Sequence, residues 1–249
     1  KIVIKATLPA ALIVNAATRE LDPRLLTLAL LGLGGGVVYV AAGWFVSRKA
    51  DKDTKAFDML NHSGYNIGLF AIPFTESFLG STGVMTASLF DVGNAFVCLG
   101  GAYGVAAAVK DGRGFDLRRV LKTLIVSVPF LVHIGTVIMN LLHIPFPGPV
   151  VDCARIVAGA NSFLAMLMIG VGFKLSGDRK QIFRIVRMLG IRYGVALALA
   201  LGCFFLLPFE REARQALMIL VFAPIASSVP AFTEEIKGDV GLSSAMNSV

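Results

Sequence analysis

The chain has 249 residues, of which 56% are hydrophobic and only 16% are charged, with a mean hydropathy of +0.76. In soluble domains about a quarter of the residues are charged. This composition therefore excludes an ordinary soluble enzyme, a nucleic-acid-binding protein and a disordered chain. The formal net charge of +7 comes from basic residues in short clusters between apolar stretches, which is typical of cytoplasmic loops. We therefore expect a multi-pass protein of the cell (inner or plasma) membrane, without metal or cofactor. The cysteines lack metal-ligand spacing and are interpreted as packing residues, namely Cys98, Cys153 and Cys203.

A membrane-crossing helix needs about 20 mostly apolar residues, and several stretches meet that condition. In chain order, the predicted spans cover roughly 2–17, 25–47, 57–79, 82–108, 119–142, 150–174, 183–207 and 214–234. A last span opens at Asp239 and stops at Val249. Because the chain starts at Lys1 and ends within a span, the sequence predicts an incomplete copy of a longer protein. The alternative for residues 1–18 is a signal peptide, although Lys5 and Pro9 interrupt its apolar core.

The distribution of lysine and arginine predicts the orientation. The loops at 48–55, 110–122 and 174–187 are basic, whereas the loops at 18–24, 75–82, 142–152 and 208–214 are short and nearly neutral. The positive-inside rule therefore places the basic loops in the cytoplasm. The acidic loop at 234–239 departs from this alternation, but acidic residues contribute little to the rule.

An internal repeat relates two parts of the chain at an offset of 158 residues. Phe74-Thr75-Glu76 matches Phe232-Thr233-Glu234, and three small residues continue the register, since Gly80, Gly83 and Ala87 match Gly238, Gly241 and Ala245. Pro73 pairs with Pro230 if one residue is inserted in the second copy. Five predicted spans separate the copies, and because this number is odd, the second copy must be inverted relative to the first. Inverted repeats are typical of secondary transporters.

Both copies contain an apolar span interrupted by glycine, proline and small polar residues, at 61–73 and at 223–230. Proline removes a helical hydrogen-bond donor and glycine relaxes the backbone. In lipid, the freed backbone groups are tolerated only where protein or a polar cavity satisfies them. The alternative is a pair of harmless kinks. Because the interruptions occupy equivalent positions and are rich in Asn or Ser, the sequence favours a binding site.

These segments carry a resemblance to the auxin efflux carrier family, whose bacterial members include malate and malonate permeases. The stretch Asn66-Ile67-Gly68-Leu69-Phe70-Ala71-Ile72-Pro73 is similar to the family's first crossover, which reads approximately N-T-G-F-L-G-L-P, with Ala71 in place of a usual glycine. The second crossover, Pro224-Ile225-Ala226-Ser227-Ser228, has Ser228 where the family usually has Asn. Looser similarities are found at Gly135, at 143–147 and at 170–174. The resemblance covers the whole chain and depends on the order and spacing of these motifs.

The resemblance implies an all-α polytopic membrane protein with two inverted five-helix repeats, each containing crossed, broken helices. Of the ten helices, about nine would be covered by this chain. Residues 1–108 would form the first repeat, 109–118 a cytoplasmic linker and 119–249 the second repeat. A scaffold would comprise 1–17 and 119–174, and a transport domain 25–108 and 183–249. The family further implies a homodimer joined through the scaffold and an elevator-type movement of the transport domain.

The crossover is the predicted substrate site. Half-helix N-termini carry partial positive charge and free N–H groups, which suit a carboxylate. Asn66, Gly68 and Ser228 are predicted to line that point, with Tyr65 as a wall. The remaining substrate-site candidates are Asn61, Pro73, Ser227 and Pro230.

A buried carboxylate supplies the predicted ion site. Asp91 lies nine residues into a span that starts near Thr82, which places it about 13 Å deep. Because an aspartate there costs about 2.5–3.5 kcal/mol, we predict that Asp91 and Asn94 hold the coupling ion, Na⁺ or H⁺. The alternative is an aspartate that keeps the crossover in shape. Of the other polar residues, Arg192 is predicted to extend to the cytoplasmic surface, and His133 to make an interhelical contact.

The predicted function is secondary active transport of small organic anions such as dicarboxylates, and not catalysis. An intramembrane enzyme with Asp91 as acid or base is a weaker alternative. An aspartyl protease would need a second mid-membrane carboxylate, whereas Asp58 and Asp152 lie near span ends. A ligand sensor that binds the anion without moving it is a third possibility, which the sequence does not exclude.

Overall fold

The computed structural model describes residues 2–18, 27–112, 117–126, 128–161, 163–164, 167 and 179–248. These residues form helices and no strands, which confirms the all-helical prediction. The predicted motif at 170–174 lies outside the described residues.

Within the described part of the chain, three helices are long and apolar enough to cross a membrane. They are Thr27–Val46, Thr82–Asp111 and Gln181–Leu206. The sequence predicts spans at the same places, at 25–47, 82–108 and 183–207. Large apolar side chains on these helices are exposed, among them Trp44, Phe183 and Phe205. Such a surface suits contact with lipid, and length, composition and exposure together support a membrane location.

The described residues of the first half of the chain form five α-helices, three of which are preceded by a π-helical turn. These turns are Val3–Thr7, Ile67–Ala71 and Val97–Gly101, and each runs directly into the α-helix that follows it. The α-helices are α1 (Leu8–Ala17), α2 (Thr27–Val46), α3 (Lys52–His62), α4 (Ile72–Phe96) and α5 (Ala102–Asp111).

The second half begins with helices that match the predicted span at 119–142 and the start of the span at 150–174. A long helix comes next, followed by two shorter helices that flank the predicted interruption at 223–230 and by a last short helix. The helices are α6 (Leu117–Val126), α7 (Val128–Leu141), α8 (Gly148–Ala158), α9 (Arg179–Leu206), α10 (Arg211–Val221), α11 (Val229–Glu235) and α12 (Val240–Ser248).

A sharp bend at Gly80 divides α4 into two parts, which explains why the sequence predicts separate spans at 57–79 and 82–108. Gly80 has φ 49° and ψ −130°, in the region that glycine enters without a steric penalty. The corresponding position of the second copy is Gly238, and the residue before it, Lys237, has φ 54°. Residues with positive φ therefore occur at neighbouring positions of the two predicted copies.

The described helices pack in two groups. The helix α1 packs against α7 and α8, whereas α2 packs against α3 and α4, and α10 packs against α4 and α9. The two large clusters of buried apolar residues lie in the second group. A small contact joins the groups, since Leu69 of the first interruption is buried against Leu8 of α1.

Glycines allow α2 to approach its neighbours backbone to backbone. A Cβ atom added to Gly93 of α4 would overlap the carbonyl oxygen of Ala29, and one added to Gly43 would lie 2.6 Å from the carbonyl oxygen of Asp58. Small residues at such contacts are characteristic of helix packing in membranes. The close approach holds α3 and α4, which flank the first interruption, against one long helix.

Candidate functional site

The two interruptions predicted from the sequence contact each other in the structure. The first break comprises residues 63–66, between α3 and the turn that opens α4, and the second comprises residues 222–228, between α10 and α11. The backbone N–H of Asn66 donates a 2.8 Å hydrogen bond to the carbonyl of Pro224. A Cβ atom on Gly64, whose φ is 68°, would lie 3.2 Å from the Cβ of Ala226. The two breaks therefore form one structural unit.

The broken helices run in opposite directions past this point. The side-chain amide of Asn61 on α3 donates to the hydroxyl of Thr233 on α11. Lys110 forms an ion pair of 2.7 Å with Asp53, near the start of α3, and donates to the carbonyl of Ile236, directly after α11. The start of α3 and the end of α11 consequently lie at the same end of the molecule.

A cavity of about 100 Å³ lies beside the two breaks. One wall comes from α1 and α7, through Leu8, Leu12, Phe130 and His133. The opposite wall contains most of the residues that the sequence predicts for the site. These are Tyr65, Asn66, Gly68, Asp91, Asn94, Ser227 and Ser228.

Three residues that line this cavity have a side-chain polar group without a hydrogen-bond partner among the described residues, namely Tyr65, Asn66 and Ser227. Asn66 is only 4% exposed, and its side-chain amide makes no such bond. The hydroxyl of Ser227 is in the same situation, whereas that of Ser228 donates to the carbonyl of Cys98 at 2.7 Å. A polar molecule bound in the cavity would supply the hydrogen-bond partner that the side chains of Asn66 and Ser227 lack. Asn66 comes from the first break and Ser227 from the second, so both breaks contribute to the polar lining.

Asn94 joins the buried carboxylate to the first break. Its side-chain oxygen accepts from the backbone N–H of Tyr65, and its side-chain nitrogen donates to the carbonyl of Tyr65, both at 3.0 Å. The same nitrogen donates to Asp91 Oδ1 at 2.8 Å. These bonds satisfy backbone groups that the helix break leaves free, as an apolar environment requires. Asn94 therefore shapes the cavity wall as well as lining it.

His133 is the residue of α7 that faces Asp91. Its Nε2 lies 2.8 Å from the carbonyl oxygen of Ser88, and its Nδ1 lies 4.0 Å from Asp91 Oδ2. The histidine makes the interhelical contact that the sequence predicts. Its proximity to Asp91 is additional, and no local sequence pattern indicates it.

The prediction that Arg192 extends to the cytoplasmic surface is wrong. Arg192 is 1% exposed, and its guanidinium donates to the carbonyls of His62, Gly64 and Ala223. It also lies over the ring of Tyr39, with Cζ 4.3 Å from the ring centroid. The physical reason is that these carbonyls, released by the helix breaks, bind both terminal nitrogens of the guanidinium inside the protein, although its Nε has no hydrogen-bond partner.

A sequence signal for Arg192 did exist. It lies nine residues into the predicted span at 183–207, at the same depth as Asp91 in its own span. Because a charged side chain is costly to place inside a membrane, the depth of Arg192 identifies it, like Asp91, as a functional candidate.

Three predicted site residues do not line the cavity. Asn61 is completely buried between α3 and α11. Pro73 and Pro230 lie in the first turns of α4 and α11, where the missing N–H would have no helical partner in any case. The prolines are therefore placed to begin the second half of each broken helix rather than to contact a ligand.

Gly68 leaves space for the side chain of Leu8 on α1. A Cβ atom there would lie 2.8 Å from Leu8 Cδ1, so glycine lets α1 close over the cavity. Among the described residues, no group of three or more His, Cys, Asp or Glu side chains is arranged to hold a metal ion.

No protein-family model matches the sequence, and no curated protein matches it significantly. The fold and the site themselves define the class, a helical protein with membrane-length apolar helices and two broken helices that meet beside a buried polar cavity.

Proposed function

We propose that this protein is a secondary active transporter of small organic anions, such as dicarboxylates, and that the anion binds where the two breaks meet. The observation that carries the proposal is the pair of free polar side chains, Asn66 and Ser227, which come from different breaks and face one cavity. Broken helices that meet at a binding site are characteristic of secondary transporters.

Contacts between repeat-equivalent residues support two inverted repeats of the auxin efflux carrier type. Asn66 and Pro224, which hydrogen-bond to each other, are 158 positions apart. Thr75 donates to the carbonyl of Ala71 at 2.8 Å, and its equivalent, Thr233, donates to the carbonyl of Val229 at 2.9 Å. Contact between equivalent positions is expected near a two-fold axis, so we propose the ten-helix, two-repeat architecture for the complete protein.

The size and polarity of the cavity favour a small carboxylate. Its volume of about 100 Å³ is below the range of about 300–1,000 Å³ that is usual for drug-sized ligands. The helix that begins at Ile67 directs its unpaired first-turn N–H groups and the positive end of its dipole toward this region. Asp91 is the proposed site of the coupling ion, Na⁺ or H⁺, because a bare carboxylate would repel the anion.

The position of the cavity fits an elevator mechanism. It lies between α1 and α7, which belong to the proposed scaffold (1–17 and 119–174), and the breaks, which belong to the proposed transport domain (25–108 and 183–249). A substrate held there would move with the breaks past the scaffold. We further propose that the scaffold forms the dimer interface.

Counterflow of radiolabelled malate in proteoliposomes containing the full-length protein tests the proposal. We expect exchange above that of empty vesicles, with a dependence on a sodium or proton gradient that identifies the ion. Asn66→Ala and Ser227→Ala should each raise the half-saturating malate concentration about tenfold, since a charge-assisted hydrogen bond contributes about 1.5–3 kcal/mol.

Ser77→Ala is the matched control, because Ser77 is exposed and bonds only to the carbonyl of Pro73 on its own helix. Unchanged kinetics in both cavity variants would contradict the proposed site. Saturable malate binding without counterflow would instead identify a ligand sensor, and the absence of both would contradict the substrate class.

A further inference from the structure

Arg192 is a fully buried cation without a carboxylate partner among the described residues. The ion pairs of those residues involve other side chains. Its surroundings are aromatic and carbonyl groups instead, with the rings of Tyr39 and Tyr65 4.3 Å and 5.7 Å from its Cζ. A charge that is so expensive to bury in a membrane protein normally serves function.

The carbonyls that Arg192 binds belong to the ends of two half-helices. His62 is the last residue of α3, Gly64 follows it in the first break, and Ala223 comes two residues after the end of α10 at Val221. A helix C-terminus carries about half a negative charge. One guanidinium therefore offsets the two negative helix ends that converge at the breaks.

The charge balance on the cavity side depends on this neutralisation. Asp91 is the carboxylate among the described residues that line the cavity. Without Arg192, two helix C-termini and Asp91 would together make the crossing negative. With Arg192 in place, a proton or cation on Asp91 leaves these charges balanced, so that the positive N-terminus of the helix that begins at Ile67 sets the sign of the potential beside Asn66.

We propose that Arg192 is the residue that makes this cavity selective for anions. It cancels the negative ends of both broken helices and, through the same three hydrogen bonds, holds the two breaks in register. The inference rests on the proposed function, because it assigns a residue to the selectivity of the same site. Arg192 is a positioning residue and does not line the cavity itself.

The test compares malate with malamide, its uncharged diamide of similar shape, by titration calorimetry on the purified full-length protein. Arg192→Gln removes the charge, and Arg192→Lys keeps the charge but replaces the planar, two-nitrogen fork by a single ammonium group. Arg187→Gln on the same helix is the control, since Arg187 is exposed. The measured quantity is the ratio of the malamide and malate dissociation constants.

We expect the wild-type protein and Arg187→Gln to prefer malate. Arg192→Lys should bind both probes more weakly, with a similar ratio of the two dissociation constants. Arg192→Gln should lower that ratio at least tenfold. A preference that survives in Arg192→Gln would overturn the inference while leaving the proposed function intact. If Arg192→Gln does not fold, loss of the preference in a folded Arg192→Lys overturns it. A wild-type protein that binds neither probe overturns both proposals.

Discussion

The backbone N–H of Asn66 donates a 2.8 Å hydrogen bond to the carbonyl of Pro224, which joins the two helix breaks. Each helix break frees backbone groups that would be costly to bury alone. Here one break supplies the donor and the other supplies the acceptor. The pairing explains why both interruptions are needed, since each satisfies a backbone group that the other leaves open.

Removing the amide of Asn94 should destabilise the first break. Asn94→Ala leaves the backbone N–H and carbonyl of Tyr65 without their partner, and each buried unsatisfied group costs about 1–3 kcal/mol. We expect a lower thermal unfolding midpoint in detergent and a loss of malate counterflow. Ser77→Ala serves as the control, and a midpoint equal to that of the wild type would show that the break does not depend on Asn94.

Neutralising Asp91 should separate transport from its driving ion. Asp91→Asn keeps the size of the side chain and an acceptor for Asn94, but it can neither bind a cation tightly nor release a proton. We expect malate exchange to continue without its sodium or proton dependence. The measurement is initial counterflow rate with and without each gradient. A variant that retains full gradient dependence would exclude Asp91 as the coupling site.

A methyl group at Gly93 should disrupt helix packing. Because its Cβ would overlap the backbone of Ala29, Gly93→Ala must push α4 away from α2, and overpacking of this kind costs about 1–3 kcal/mol. Gly34→Ala is the matched control, since nothing lies within 4 Å of its Cβ position. We expect the thermal midpoint to fall for Gly93→Ala alone. Equal midpoints in both variants would contradict the close packing.

Acid should weaken the start of α3. The backbone N–H and hydroxyl of Thr54 donate to Asp51, and these bonds, chiefly the one from the N–H, hold the pKa of this carboxyl below its usual value of 3.8. Because the folded-state pKa is lowered, the cap stabilises the helix above that value and is lost as the pH falls through the folded-state pKa. The wild type should therefore be more stable than Asp51→Ala near pH 7, with the difference shrinking toward pH 3.

Thermal midpoints of the two proteins across this pH range check the Asp51 prediction. Asp51→Asn is the control, because asparagine also caps helices but does not titrate. A wild-type advantage that stays constant down to pH 3 would contradict the role of the ionised carboxylate.

Local sequence determines much of this protein. Apolar runs, charge clusters and the glycine and proline interruptions locate the long helices and both breaks, because hydropathy and backbone freedom are properties of neighbouring residues. The offset of 158 residues likewise relates the two interrupted spans before any contact between them is known. The depth of Asp91 in its span marks it as a polar residue of the interior.

Only the tertiary structure decides which side chains meet. The guanidinium of Arg192 reaches carbonyls about 130 residues away in the chain, at His62 and Gly64, and His133 reaches Asp91 from another helix. Such contacts depend on the rotation of each helix about its axis and on which helices are neighbours. In a span that is apolar on all sides, hydropathy indicates neither the rotation of the helix nor its neighbours. The partner of a buried charge is therefore known only from the packed structure.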